Sequence, residues 1–83
     1  MASLQSKKFI IRWKEQGTNA YMNAEIVAPT EKDALIKLRD NLLLCCGIGY
    51  NYLWIIRVSC DEYSTLYVHK VNDVIDIIDR KKF

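Results

Sequence analysis

The chain is predicted to be an α+β domain of order ββαββα, with a four-stranded, largely antiparallel sheet and two helices on one sheet face. Three features of the sequence lead there. Two pairs of runs alternate apolar and polar residues across short turns, a capped helical stripe follows the single proline, and a second apolar stripe at helical spacing lies near the C-terminus. With 83 residues and 51% hydrophobic side chains, residues 1–83 make one small domain around one shared core, with flexible ends expected at 1–6 and 81–83.

The first strand is predicted over Lys8–Lys14, where Phe9, Ile11 and Trp13 alternate with Lys8, Ile10, Arg12 and Lys14. Glu15 to Asn19, with Gly17, reads as a turn. A second strand over Ala20–Ala28 sets Met22, Ala24, Ile26 and Ala28 against Tyr21, Asn23, Glu25 and Val27, completing a hairpin. Pro29 stops that strand. Thr30 is a good helix cap with Asp33 three positions on, and a helix running to about Leu44 aligns Ala34, Leu35, Leu38, Leu42 and Cys45 on one stripe. Gly47 supplies a left-handed stop.

Tyr50–Cys60 reads as a central strand, because Tyr52, Trp54, Ile56, Val58 and Cys60 alternate with Leu53, Ile55, Arg57 and Ser59 and both sets carry large apolar groups. Asp61 and Glu62 turn the chain into a fourth strand over Tyr63–Lys70. In the tail, Val71, Val74, Ile75 and Ile78 fall at helical spacing opposite Asp73, Asp76, Asp79 and Arg80, with Asn72 as the expected cap of a helix over 72–80. A strand there would mix aspartates into both faces.

The start MASLQSKKF has no apolar stretch behind its charges, and the apolar run from Asn41 to Ile56 is broken by Asn41, Gly47, Gly49 and Asn51, so a cytoplasmic protein without a secretory signal or membrane span is expected. Three cysteines, two of them adjacent, argue against a disulfide framework; reduced, partly buried thiols are expected, with a bridge from Cys60 to Cys45 or Cys46 as the alternative. The set Cys60, His69 and Asp61 could only be catalytic if the sole histidine met a thiol near the turn, whereas it falls at the far end of the last hairpin. Cys45, Cys46, Cys60 and His69 lack zinc-ligand spacing, and Gly47 and Gly49 make no phosphate loop. Neither an enzyme nor a cofactor is expected.

Burying the heavier side of each hairpin sends Phe9, Ile11, Trp13, Trp54, Ile56 and Val58 toward Leu35, Leu38, Leu42, Val74 and Ile78. The opposite sheet face then gathers the bases Lys8, Arg12, Lys14, Arg57 and Lys70 around Ile10, Leu53, Ile55, Leu66 and Val68. An aliphatic centre with a basic fringe predicts a partner. The candidate interface is therefore Ile10, Arg12, Lys14, Leu53, Ile55, Arg57, Leu66, Val68 and Lys70, with Ile55 and Leu66 expected to carry tight binding and a homodimer expected through Ile10, Leu53, Ile55 and Val68.

The compact hairpin–helix order and the run NAEIVAPTEKDALIKL resemble small accessory proteins of phages and mobile elements, some of which inhibit host machinery by binding it. That resemblance covers about Lys8 to Leu44 and implies a binding role without assigning any site residue. The expected function is accordingly a small protein-binding module, accessory or inhibitory, that occupies a partner's surface. The alternative is a nucleic-acid-binding protein using the basic sheet face. It ranks second because Arg57 and Lys70 alternate with Tyr52, Trp54, Tyr67 and His69, which puts charge and rings on opposite faces.

Overall fold

The structure, a computed structural model, describes residues 6–80. The flexible ends expected at 1–6 and 81–83 lie outside them, apart from Ser6, which is exposed and belongs to no element. Strands β1 (Lys7–Glu15) and β2 (Met22–Ala28) precede helix α1 (Glu31–Cys46), and strands β3 (Leu53–Ser59) and β4 (Ser64–Lys70) precede helix α2 (Val71–Arg80). All neighbouring strands are antiparallel, in the order β2-β1-β3-β4. Both helices pack on one face of this sheet, α1 mainly over β2 and α2 over β3 and β4. Among the described residues no helix is long and apolar enough to cross a membrane.

Local chemistry accounts for most boundaries. Gly17 takes φ 87°, and the turn closes as the Thr18 N–H and hydroxyl both donate to the Glu15 carbonyl, at 3.1 and 2.8 Å. Thr30 is extended, and its Oγ1 accepts from the Asp33 N–H at 3.2 Å, satisfying one orphan donor of the first turn. Gly47 ends α1 at φ 70°, its N–H donating to the Leu43 carbonyl at 3.1 Å. Helix α2 starts directly after β4 at Val71, so Asn72 is inside the helix rather than its cap, and its Oδ1 accepts from Arg39 Nη1 at 3.0 Å.

The core gathers Phe9, Ile11 and Trp13 of β1, Ala28 of β2, Leu53, Ile55 and Val58 of β3, Ala34, Leu35 and Leu38 of α1, and Val71, Val74 and Ile75 of α2. Leu42 and Ile78 pack against it, half-buried. The helices are joined to each other by Lys32 Nζ and Asp79 Oδ1 at 2.9 Å, and α1 to the end of β2 by Lys37 Nζ donating to the Val27 carbonyl at 2.9 Å. In the last turn of α1, Leu43, Leu44, Cys45 and Cys46 are exposed. Cys45 is therefore off the buried stripe where its spacing would set it, and the adjacent thiols are not partly buried.

Strand β3 departs most from its expected alternation. Arg12 pairs with Arg57 but Trp13 with Ile55, so Ile56 is one residue too many opposite β1. On the other side β4 accommodates the same place with an extra residue of its own, since Arg57 pairs with Leu66 and Ile55 with His69, leaving Tyr67 and Val68 opposite Ile56. Val68 enters the left-handed region at φ 57°, which is rare for a β-branched side chain. A bulge reverses the in–out phase of everything beyond it. Leu53 and Ile55, expected on the open face, are 1% and 0% exposed in the core, while Trp54 and Ile56, expected in the core, lie outside it on the open face. Val58, on the other side of the bulge, is buried as its alternation predicts.

Candidate functional site

Among the described residues no element covers the sheet face away from the helices, and the register arranges its side chains in cross-strand rows. Lys14 of β1 pairs with Trp54 of β3, which pairs with Lys70 of β4. On the other flank of Lys14, Tyr21 closes the row just ahead of β2, and Lys14 Nζ lies 5.9 Å from the Tyr21 ring centroid and 6.0 Å from that of Trp54. The row thus reads Tyr21, Lys14, Trp54, Lys70, a ring and a base in alternation. The neighbouring row is Asn23, Arg12, Arg57, Leu66. Arg12 stacks its guanidinium on Tyr21, 4.8 Å from the centroid, and Arg57 Nη1 donates to Ser64 Oγ at 2.8 Å. Behind these lies Glu25, Ile10, Ser59, Ser64, in which the two serine hydroxyls are 2.9 Å apart.

Electrostatics separate this face from the rest of the protein. Its bases are Lys8, Arg12, Lys14, Arg57 and Lys70, and its carboxylate, Glu25, is engaged by Lys8 at 3.3 Å. None of the ion pairs among the described residues involves Arg12, Lys14, Arg57 or Lys70. Arg12 and Arg57 stand directly opposite each other across β1 and β3, a like-charge pair that costs stability in an isolated sheet. The indole Nε1–H of Trp54 is buried without a hydrogen-bond partner among the described residues. Around this centre the aliphatic side chains Ile10, Leu66 and Val68 are 44%, 59% and 45% exposed.

Seven of the nine predicted interface residues are on this face: Ile10, Arg12, Lys14, Arg57, Leu66, Val68 and Lys70. Leu53 and Ile55 are not, which removes both from the expected dimer contact and removes Ile55 as an anchor for any partner. In their place the bulge brings Trp54 into the basic row, so charge and ring share one face. Tyr21 was legible on that side of its strand, but its meeting with Arg12 and Lys14 follows from the hairpin register. Of the other aromatic candidates, Tyr52 is exposed ahead of β3, His69 is exposed opposite Ile55, and Tyr67 faces the helices.

Tyr67 belongs to a second polar cluster on the helix side. The Glu31 carboxylate, in the first turn of α1, accepts from the Tyr63 hydroxyl at 2.7 Å and from the Tyr67 hydroxyl. Burial, and then the bonded carboxylate, raise both phenols above their usual range. Near the β3–β4 turn, Lys7 Nζ meets Glu62 at 2.8 Å, and that bond raises the Lys7 ammonium. Cys60 is beside this turn, its N–H donating to the Tyr63 carbonyl at 2.8 Å, while His69 is at the other end of β4. Among the described residues no group of three or more His, Cys, Asp or Glu side chains converges as a metal site. No family model, curated protein or solved structure matches the chain.

Proposed function

We propose that this protein works by binding, and that the ligand of its open sheet face is nucleic acid. One observation carries the reading: Arg12, Lys14, Arg57 and Lys70 form two adjacent rows without an ion-pair partner among the described residues, interleaved with the rings of Tyr21 and Trp54. A phosphate chain neutralises such an array with release of its counterions, and it relieves the Arg12–Arg57 repulsion that the protein alone carries. The two central strands supply three of the four bases, so the sheet holds them rigidly in place.

A titration of mixed-sequence DNA and RNA across salt concentrations tests this. Binding should weaken steeply as salt rises, and changing Arg12 and Arg57 together to Gln should abolish most of it while the fold persists. Salt-insensitive binding, or full binding by that double variant, overturns the reading.

A second reading, a protein partner with an acidic surface, is favoured by the exposed aliphatic side chains of Ile10, Leu66 and Val68. It keeps the accessory or inhibitory role that the likeness to phage proteins implies. Selective capture of one protein, lost in Leu66→Asp and unaffected by nuclease, would select it over nucleic acid.

A further inference from the structure

Resting on the nucleic-acid reading, we infer that the ligand is single-stranded, laid across the strands with one base on Tyr21 and another on Trp54. The two rings flank β1, one just ahead of β2 and the other on β3, with Lys14 Nζ between them. They are thus two strand spacings apart, about 10 Å. Bases that occupy both rings must be unstacked from each other. A single strand allows this at little cost, because its bases are free to turn out onto aromatic platforms, whereas a duplex must first open.

The charges fit the same path. Lys14 and Lys70 fall on either side of Trp54 along the row, and Arg12 and Arg57 run parallel to it one row away. A backbone crossing from β2 toward β4 would pass a base of the protein at each strand it crosses from β1 onward. Specificity for sequence is not expected from rings and ammonium groups, which accept any base face and any phosphate. The predicted ligand is a short single strand of any sequence, bound in proportion to its charge and stacking.

The protein has two tryptophans, and Trp13 is buried on the helix side at 7% exposure, so a ligand on the open sheet face reports through Trp54. The test titrates the full chain with a short oligothymidylate and with a duplex of equal length, following intrinsic tryptophan fluorescence and the anisotropy of labelled oligonucleotide. The single strand should quench the emission and bind at least tenfold more tightly than the duplex. Tyr21→Ala and Trp54→Ala should each weaken it by roughly 5- to 150-fold, while Trp54→Phe, which keeps a stacking ring, should stay near the parent. Tyr21 is on the exposed rim, so its variant remains informative if Trp54→Ala does not fold.

Equal or tighter duplex binding, or single-strand binding unchanged in Tyr21→Ala and without quenching, overturns this inference while leaving nucleic-acid binding in place. Binding of neither oligonucleotide at low salt overturns the underlying reading and this inference with it.

Discussion

Arg12 and Arg57 face each other across the two central strands of the sheet, on the side that no helix covers, and neither has a carboxylate partner among the described residues. Cross-strand like charges are unfavourable by roughly 0.2–1 kcal/mol in a sheet. On the proposed reading, a bound polyanion would relieve this cost to the free protein.

Arg57→Gln should therefore trade one property for the other. Its unfolding free energy, measured in urea at low salt, should rise by a few tenths of a kcal/mol, up to about 1 kcal/mol. Its nucleic-acid affinity should fall, and the slope of log affinity against log salt should shrink by about one. A variant that lost stability and kept its affinity would contradict the role given to this pair.

The reversed phase of β3 is testable at adjacent residues. Ile55→Ala should cost about 2–5 kcal/mol, because Ile55 is in the core between sheet and helices. Ile56→Ala, on the open face, should cost well under half as much. Equal losses in a chemical denaturation series would argue against the bulge at Ile56.

Val68 holds a left-handed backbone at φ 57° with its side chain 45% exposed. Val68→Gly removes the steric penalty and loses little buried surface, so it should stabilise the fold by about 1 kcal/mol after the entropy cost of glycine. For a domain of this size that is a rise of about 4–8 °C in Tm. Val68→Ala, which keeps the Cβ, should show no comparable gain in a thermal melt.

The Tyr63–Glu31–Tyr67 cluster predicts alkaline sensitivity. Both phenols titrate higher in the folded state than their ordinary value of about 10. Their contribution is therefore complete below pH 10 and is lost as pH rises from there toward the raised folded values. Melting followed from pH 8 to 12 should show a decline that starts near pH 10, and Tyr63→Phe or Tyr67→Phe should flatten it. A decline of unchanged steepness in both variants would show that other groups drive it.

Element order, the faces of β1 and β2, the Thr30 cap, the Gly47 stop and the buried stripe of α2 were all determined by the sequence alone. Each depends on residues close together in the chain: alternation within one strand, a hydroxyl three residues from its N–H, a glycine where φ turns positive. The bases of the candidate site were legible for the same reason, since Arg12 and Lys14 share a phase with Lys8 and Ile10. The phase of β3 was decided only by tertiary structure. Leu53, Trp54, Ile55 and Ile56 are all apolar, so either phase would bury large side chains. No glycine marks the bulge, because Val68 takes the positive φ itself. What selects the phase is the joint packing of Leu53, Ile55 and Val58 against Phe9, Ile11, Leu35 and Val74, contacts between elements far apart in the chain. The site inherits this, because Trp54 joins Lys14 and Lys70 only once the core has claimed its two neighbours.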